Sequence, residues 1–526
     1  MKCSINFCFL LVGASYAFQL PFSVPFFTKQ QVTTVEDSIV DATPRIAIIG
    51  AGAGGSSAAF WISKAKERFG VDVEVDVFDL ESYIGGRSTT VYPYHDHSLP
   101  EIELGASIFV KVNKNMWRAS EEFNLTRRDF HEEEGSMGIW DGQQLLFTIG
   151  GSWWDTLKVI WRYGVLSPKR TKDVVSAMMQ KFLTLYTPEA PTWDNLSHLA
   201  EELGWTDLVN QTTDQFLQAA GVSSKFTHEL VEAATRVNYG QNVDAIHALE
   251  GACSMADSGA VGIKGGNFLI FEQFLKRSGA KVHLNTTVAS ITHRSASSHD
   301  WTIQTKSGET KHYKGVIIAT PFHTSGIKLS PSLGPKIPPQ PYVHLHVTIL
   351  VTNSSSFDPT YFGLAPGTHV PKMMLTTAEG ERQGGPAPEF NSISYHGVVR
   401  EGEWAVKIFS DHRIEDELLE RVLPQNSVRW VYRKEWYSYP KLPPTDTFPP
   451  IKLDTGLYYV NAFEPFISTM ETEIIAARNV VQLLLSDKFA SSICGPRISS
   501  SETGPAAEPP APPNKADEDF VLGWDC

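Results

Sequence analysis

A glycine-rich segment between a strand and a helix constrains the fold of this chain more than any other feature. Arg45–Ile49 is an apolar strand that runs directly into Gly50-Ala-Gly-Ala-Gly-Gly55, and the following residues have the apolar spacing of a helix. A second strand, residues 71–78, ends at Asp79. Strand, glycine fingerprint, helix, strand and terminal acid together predict a βαβ unit that binds the pyrophosphate of a dinucleotide.

The residues of this unit have separate predicted roles. Gly50 permits the tight turn, Gly52 lets the backbone approach the pyrophosphate, and Gly55 lets the helix pack closely on the strand. The helix N-terminus offers unpaired N–H groups and a partial positive charge to the phosphates. Asp79 ends the second strand, where its carboxylate can accept hydrogen bonds from a ribose diol.

The composition of the chain argues against several classes of protein. The 526 residues carry 59 acidic and 45 basic side chains, a net charge of −14, and 42% of them are hydrophobic. This composition is globular rather than disordered. No run of Lys and Arg forms the basic face of a nucleic-acid binder, and the acidic balance argues against docking on an anionic membrane. Beyond the N-terminal segment, no stretch reaches about 18 uninterrupted apolar residues, so we predict no transmembrane span.

The two ends of the chain differ from its middle. Residues 1–17 combine Lys2, a short apolar stretch and small residues before Ala17, which predicts a secretory signal peptide cleaved near Ala17; a membrane anchor is the alternative. Residues 18–43 are a predicted linker. The stretch from Gly495 is rich in Pro, Ala and acidic residues, so we expect a mobile tail with a frayed end.

In the secretory pathway, Asn-X-Ser/Thr sequons can be glycosylated and cysteines can form disulfides. We expect two to four of the five sequons to carry glycans. The sequons are at Asn124, Asn195, Asn210, Asn285 and Asn353. After removal of the signal peptide, Cys253, Cys494 and Cys526 remain, an odd number without metal-ligand spacing. We therefore predict neither a disulfide framework nor a metal site.

A second glycine motif, Gly85-Gly86-Arg87, follows the second strand. It resembles the second dinucleotide motif of the amine-oxidase and phytoene-desaturase flavoproteins, although Tyr83 stands where that group usually has an Arg. The resemblance implies that the glycines approach the cofactor and that Arg87 brings positive charge to the pyrophosphate.

Later segments are similar to the same flavoprotein group and imply FAD as the cofactor. The stretch 103–107, with Gly105, resembles the segment that passes the flavin, and Val288 resembles the residue against the adenine. Residues 316–321 resemble a strand and turn of the FAD fold, and Asn461 lies where an acid usually contacts the ribitol. The predicted cofactor-binding residues are Gly50, Ala51, Gly52, Gly54, Gly55, Asp79, Gly85, Gly86, Arg87, Gly105, Val288 and Asn461.

Further segments closely resemble the prenylcysteine oxidase family, also called prenylcysteine lyases, from about residue 44 to 487. The segments are IWRYG at 160–164, RVNYGQN at 236–242, GAVGIKGGN at 259–267 and KEWYSYP at 434–440. The resemblance implies an FAD-dependent oxidase that acts on the thioether of S-farnesyl- or S-geranylgeranylcysteine. It implies hydride transfer from prenyl C1 to flavin N5, with O2 as the final acceptor. The products would be an isoprenoid aldehyde, cysteine and hydrogen peroxide, and the location a lysosome, a vacuole or the extracellular space.

The substrate side is less strongly marked, and no catalytic residue is assigned. The aromatic residues that could line a prenyl slot, or simply form core, are Trp153, Trp154, Trp161 and Tyr163. Arg162 or Arg236 could pair with the substrate carboxylate, with a structural salt bridge as the alternative for each. Side chains that could handle protons or water, or simply pack, are His323, His344, His346, Tyr239 and Gln241.

The predicted fold is α/β, with a doubly wound FAD-binding domain built from discontinuous segments and an inserted α+β substrate domain. The FAD-binding segments are 44–110, 255–330 and 450–490. The substrate-domain segments are 111–254, mainly helical, and 331–449, mainly sheet, and a Pro-rich tail occupies 491–526. Two alternatives remain open: a secreted flavin amine oxidase, and a lipid-binding flavoprotein or flavin-free remnant without turnover. The oligomeric state stays open.

Overall fold

The structure is a computed structural model that describes most of the chain. The described residues are 43–129, 136–150, 153–256, 259–295, 299–331, 333, 336–495 and 519–526. The predicted signal peptide, residues 1–17, and all but residue 43 of the predicted linker lie outside them. Within the described residues, no helix is long and apolar enough to cross a membrane.

The described residues form 21 strands and 15 α-helices, with the helices of residues 153–254 following one another along the chain. The strands are β1 (Arg45–Ile49), β2 (Glu74–Phe78), β3 (Thr90–Val91), β4 (Ile102–Glu103), β5 (Arg127–Asp129), β6 (Met137–Trp140), β7 (Leu145–Ile149), β8 (Val261–Ile263), β9 (Lys281–His283), β10 (Val288–His293), β11 (Trp301–Thr305), β12 (Thr310–Tyr313), β13 (Gly315–Ile318), β14 (Lys328–Leu329), β15 (Tyr342–Thr352), β16 (Met373–Thr376), β17 (Ser392–Arg400), β18 (Glu403–Ser410), β19 (Val428–Pro440), β20 (Lys452–Asp454) and β21 (Leu457–Tyr459). The α-helices are α1 (Ala53–Phe69), α2 (Lys114–Glu122), α3 (Trp153–Tyr163), α4 (Leu166–Leu183), α5 (Leu196–Leu203), α6 (Thr206–Asn210), α7 (Thr213–Ala219), α8 (Ser224–Phe226), α9 (Glu232–Tyr239), α10 (Ala248–Ser254), α11 (Phe268–Ser278), α12 (Phe322–Ser325), α13 (Glu379–Arg382), α14 (Asp416–Val422) and α15 (Met470–Phe489).

The first sheet is the nucleotide-binding sheet. Its strand order is β20–β21–β13–β1–β2–β9, with parallel pairing from β21 to β9. Its strands β1, β13 and β21 read as nearly continuous apolar runs, as expected for a parallel sheet covered by helices, whereas β2 also carries Glu74 and Asp76. Helix α1 packs against α11 and α15, and the indole of Trp61 donates to the carbonyl of Ile474 at 3.2 Å. The strands come from widely separated parts of the chain, so the predicted discontinuous doubly wound fold is confirmed.

A second, mainly antiparallel sheet belongs to the rest of the chain. Its order is β19–β15–β18–β17–β16–β6–β7. Strand β15 alternates between two apolar clusters, because successive side chains point to opposite faces of a sheet. Leu345 and Val347 pack with Ile102, whereas Leu350 packs with Leu418 of α14. Strands β6 and β7 join this sheet from within the segment predicted as mainly helical. The domain boundaries themselves stay a prediction.

The last residues of the chain are docked, so the expected frayed end is wrong. Cys494 and Cys526 form a disulfide. The ring of Trp524 lies 5.0 Å from that of Phe60 and 5.7 Å from that of Trp61, and Arg68 donates to the carbonyl of Trp524 at 2.8 Å. Burial of a large aromatic ring and the covalent link together offset the entropy of ordering this segment. Residues 496–518 of the predicted tail lie outside the described residues.

Candidate cofactor and active site

The first glycine loop connects β1 to α1 and has the predicted geometry. Gly50 has φ of +113°, and a Cβ there would lie 2.2 Å from the carbonyl oxygen of Ala319. A Cβ on Gly55 would lie 1.8 Å from the carbonyl oxygen of Gly50. The turn and the close helix packing therefore require glycine at both positions. No described side chain caps the N-terminus of α1. The first N–H groups of this helix can therefore bind an anion at the glycine loop.

The second glycine loop pairs with the first. The N–H of Gly85 donates to the carbonyl of Ala51 at 3.0 Å, and Gly52 and Gly85 form a parallel bridge. Gly86 approaches Gly52 so closely that a Cβ on Gly86 would lie 3.3 Å from its Cα. The structure thus brings both predicted motifs to the C-terminal ends of β1 and β2, where a doubly wound sheet binds its ligand.

Asp79 anchors the first loop at the end of β2. Its Oδ2 accepts from the N–H of Ala51 at 2.6 Å, and its Oδ1 accepts from the N–H of Glu81 at 2.8 Å. Burial raises the pKa of this carboxyl above its ordinary value. The N–H of Thr286 donates to the carbonyl of Asp79 at 2.7 Å, which brings the segment leading to Val288 next to it. Val288 is buried at the start of β10.

Arg87 lies in an ion pair with a distant acid. Its guanidinium bonds the carboxylate of Glu464, and its Nη1 donates to the carbonyl of Ser438 at 2.7 Å. Glu464 also accepts a hydrogen bond from the hydroxyl of Tyr342. The expected role of Arg87 at a pyrophosphate is not tested by these contacts. They show that Arg87 ties the second glycine loop to β19 and to the turn before α15.

Buried polar atoms around the two loops have no partner within the described residues. These atoms are Asn461 Oδ1, Glu473 Oε1, Trp436 Nε1 and Glu103 Oε2. A Cβ on Gly54 would lie 2.8 Å from Oε2 of Glu473, which places Glu473 against the first loop. A Cβ on Gly105 would lie 2.9 Å from Cζ2 of Trp436. A buried polar group without a partner is costly, so this set of donors and acceptors fits a large polar cofactor.

The charge state of Glu473 matters at such a site. Burial and the neighbouring Glu464 raise the pKa of Glu473 well above its ordinary value, whereas Arg87 lowers it. A neutral carboxyl can donate a hydrogen bond to a phosphate oxygen, but an ionised one would repel it. Glu473 lies in the first turn of α15, whose N-terminus is capped by the Thr469 side chain.

A small polar cavity lies beside the Gly105 stretch. Lys407 of β18 donates to Ser107 Oγ at 2.9 Å and to the carbonyl of Glu103 at 3.2 Å. Burial lowers the pKa of Lys407 to about 8, and burial raises the pKa of Glu103 to about 7. The cavity, which His396 and Arg128 also line, measures about 30 Å³. Since one water molecule needs roughly 10–15 Å³ of cavity volume, the cavity has room for about two water molecules.

Sequence reasoning missed several of these residues. The available signals were Lys407 inside the apolar run WAVKIFS and Glu473 inside a mainly apolar helix. A charged residue in a buried apolar element marks either an ion pair or a functional site. Glu464 carried no local signal, because its partner Arg87 is remote in sequence.

Two of the four candidate substrate-side aromatics lie on the surface, and one is in the core. Trp154 and Trp161 face solvent, so they do not line an internal slot. The side chain of Trp153 lies outside what the structure describes. Tyr163 is buried, and with Arg162 it donates to Glu229. Arg162 is therefore in a structural ion pair.

The remaining candidates make mainly local contacts. Arg236 donates to Thr376, Asn242 and Asn391 at 2.7–2.9 Å. The amide of Gln241 donates to the carbonyl of Pro440 at 3.1 Å.

The histidines and Tyr239 complete the set of candidates. Tyr239 is buried beside Glu250. His323 contacts the carbonyl of Pro338 at 2.9 Å. His344 and His346 share a sheet face with Glu435, and their ligand atoms lie within 4.8 Å of one another, a group that could hold a metal ion.

Comparison with known proteins identifies the family. The family model described as prenylcysteine lyase matches residues 149–493, and the model of an NAD(P)-binding Rossmann-like domain matches residues 48–123. Farnesylcysteine lyase of Arabidopsis thaliana is 30% identical over 472 residues, covering 86% of this chain and 89% of that protein. Prenylcysteine oxidase 1 of Homo sapiens is 31% identical over 477 residues, covering 84% and 88% respectively.

Solved structures share the fold at lower sequence identity. Putrescine oxidase bound to putrescine superposes with a TM-score of 0.56 and 14% identity, covering 84% of this chain and 99% of that chain. Such a likeness shows the flavoprotein fold alone. The fold, the paired glycine loops and the match over most of its length together show that this chain belongs to the prenylcysteine lyase family and is an FAD-dependent oxidoreductase.

Proposed function

We propose that this protein oxidises the thioether of S-prenyl-L-cysteine, with a farnesyl or geranylgeranyl group, during degradation of prenylated proteins. The overall reaction converts the thioether, water and O2 into an isoprenoid aldehyde, free cysteine and hydrogen peroxide. The contact between Gly85 and Ala51 carries the flavin part of the proposal, because it joins both dinucleotide motifs into one cradle. The named activities of the relatives support the choice of substrate.

The chemistry suits a site with little acid–base machinery. Bound FAD would supply the oxidant for the carbon that lies between the sulfur and the allylic double bond. Positive charge at this carbon is stabilised by both neighbours, so water can add and the C–S bond can then break. The chain itself mainly has to bind, orient and exclude bulk water.

The residues of the cradle have distinct tasks in this proposal. The backbone N–H groups of Gly52 to Gly55 bind the pyrophosphate of the dinucleotide, and the carboxylate of Asp79 binds its ribose. A neutral Glu473 donates a hydrogen bond where an ionised one would repel phosphate. Arg87 and Glu464 hold the second loop against β19. Lys407, whose pKa of about 8 lies near neutrality, can exchange a proton with waters in the cavity beside Ser107.

Product stoichiometry tests the proposal. Purified protein with S-farnesylcysteine should give aldehyde, free thiol and peroxide in equal amounts. The matched control is an S-alkylcysteine of the same chain length with no double bond, which should react far more slowly. Turnover of putrescine without turnover of S-farnesylcysteine would overturn the proposal in favour of an amine oxidase.

We further propose that the protein works in the secretory pathway, delivered to an acidic lysosome or vacuole or to the cell exterior. The Cys494–Cys526 disulfide supports an oxidising compartment. Burial raises the pKa of Glu250 to about 8 and of Glu103 to about 7, so these carboxyls are neutral in acidic surroundings. Fractionation of cells with organelle markers tests this location, and a cytosolic protein would contradict it.

A further inference from the structure

Helix α3 presents apolar side chains to solvent. Trp154 is 58% exposed, Leu157 45%, Ile160 40% and Trp161 89%. At about 100° per residue, these four side chains occupy an arc of about 120° on one face of the helix. Val165 and Leu166, at the junction with α4, extend the exposed apolar surface. We call the side chains of these six residues the α3 face.

Contacts on the opposite side fix the rotation of the helix. Asp155 is buried, and its Oδ2 accepts from the N–H of Gly150 at 2.8 Å. Arg162 donates to both carboxylate oxygens of Glu229, at 2.6 and 2.9 Å, and the Tyr163 hydroxyl donates to Glu229 at 2.7 Å. Turning the apolar residues inward would break these buried polar contacts, so the outward orientation is built into the fold.

The charge around the α3 face is opposite in sign to that of the whole protein. Between residues 153 and 173 the chain carries five Lys or Arg and two Asp, and Arg162 is neutralised by Glu229, so the net charge is +2, although the whole protein is at −14. Lys158 pairs with Asp155 and Lys169 with Asp173, which leaves Arg170 and Lys172 as the excess. Lys158, Lys169 and Lys172 are exposed there. The net charge of the whole protein argued against binding to an anionic membrane. Electrostatic attraction to a membrane surface acts only within about a Debye length, so the charge close to the α3 face determines whether this face is attracted.

We propose that the α3 face lies on the surface of a bilayer that contains anionic lipids. Exposed Trp, Leu and Ile on one helix face, flanked by Lys, are the pattern of a helix that lies in the membrane interface. No described helix is both long and apolar enough to cross a membrane. These observations do not depend on the proposed function. A prenylated substrate would itself partition into membranes, so the two proposals are compatible.

Vesicle co-sedimentation of the full chain tests this inference. Wild-type protein should pellet with vesicles of phosphatidylcholine and phosphatidylserine, and less with phosphatidylcholine alone. The variant Trp154→Ser/Trp161→Ser should weaken binding by at least about tenfold, because each indole loses its apolar burial. Lys169→Gln/Lys172→Gln should weaken binding only to the anionic vesicles.

A matched control uses an exposed apolar residue elsewhere. Val398 of β17 is 58% exposed, and Val398→Ser should bind vesicles like wild type. Wild-type protein that stays in the supernatant, or tryptophan variants that pellet equally, would overturn the inference. Light scattering that shows a wild-type dimer, dissociated by the tryptophan variant, would assign the face to a second copy instead. Oxidation of S-farnesylcysteine dispersed in detergent should be unchanged in every variant, which separates this test from that of the proposed function.

Discussion

Gly54 and Glu473 are in contact although they are separated by most of the chain. A Cβ on Gly54 would lie 2.8 Å from Oε2 of Glu473 and 3.0 Å from Cγ1 of Val460. The first turn of α1 and the first turn of α15 therefore meet at the cofactor cradle. The absence of a side chain at residue 54 sets how closely the two helix N-termini approach.

Gly54→Ala should reduce FAD content, because the methyl group pushes Glu473 out of the cradle. We expect a loss of about 1–3 kcal/mol in stability from overpacking. The ratio of flavin absorbance to protein after purification, together with thermal unfolding, measures both effects. Gly495→Ala is the control, since its added Cβ meets nothing within 4 Å. Full flavin content in Gly54→Ala would contradict the contact.

Arg87→Met should destabilise the protein even without cofactor. Glu464 is buried, and removing its cationic partner leaves a charge without compensation, at a cost of about 3–5 kcal/mol. The double variant Arg87→Met/Glu464→Gln should recover much of this loss. Denaturant unfolding of the apoprotein measures both. If Arg87 acts only at the pyrophosphate, the apoprotein will unfold like wild type and only the holoprotein will be weakened.

The free energy of unfolding should rise as the pH falls from 8 to 6.5. Burial raises the pKa of Glu250 from 4.5 to about 8, so the folded state binds a proton that the unfolded state lacks in this range. Stability therefore changes by up to about 1.4 kcal/mol per pH unit for each such proton. His247 has the opposite effect below pH 6.5, because burial lowers its pKa to about 4. The unfolded state then binds a proton that the folded state lacks, so this residue lowers the free energy of unfolding as the pH falls.

The variant Glu250→Gln isolates this contribution. Glutamine can still accept from the N–H of Ser468, which contacts Glu250 Oε1 at 3.2 Å. We expect a flatter dependence of stability on pH between 6.5 and 8, measured by urea unfolding at several pH values. An unchanged slope would show that Glu250 does not hold its proton in the folded state.

Trp524→Ala should loosen the C-terminal segment at a cost of about 2–3 kcal/mol, since the indole is partly buried among Phe60, Trp61 and Phe123. Cys526→Ser should cost about 2–4 kcal/mol by freeing the same segment. Thermal unfolding and hydrogen exchange in α1 measure the effects. An unaltered melting temperature in both variants would show that the docked end does not stabilise the fold.

Sequence predicted the parts of the site that depend on local geometry. Gly50 and Gly55 are required by the path of the chain within one βαβ unit, so their positions followed from spacing alone. The partner of Arg87 could not be predicted, because Glu464 approaches it only through the assembled sheets. Trp161 was a candidate for a prenyl slot or for the core, and it lies in neither, since aromatic content does not reveal which way a helix is rotated. The docking of Trp524 depends on a pocket made by helices far away in sequence.

Anaerobic mixing with S-farnesylcysteine tests the central claim most directly. The account predicts that the visible flavin absorbance of the purified protein bleaches rapidly, and that it recovers with release of peroxide when air is admitted. A flavin-containing protein that does not bleach, with the substrate confirmed intact, would contradict the account.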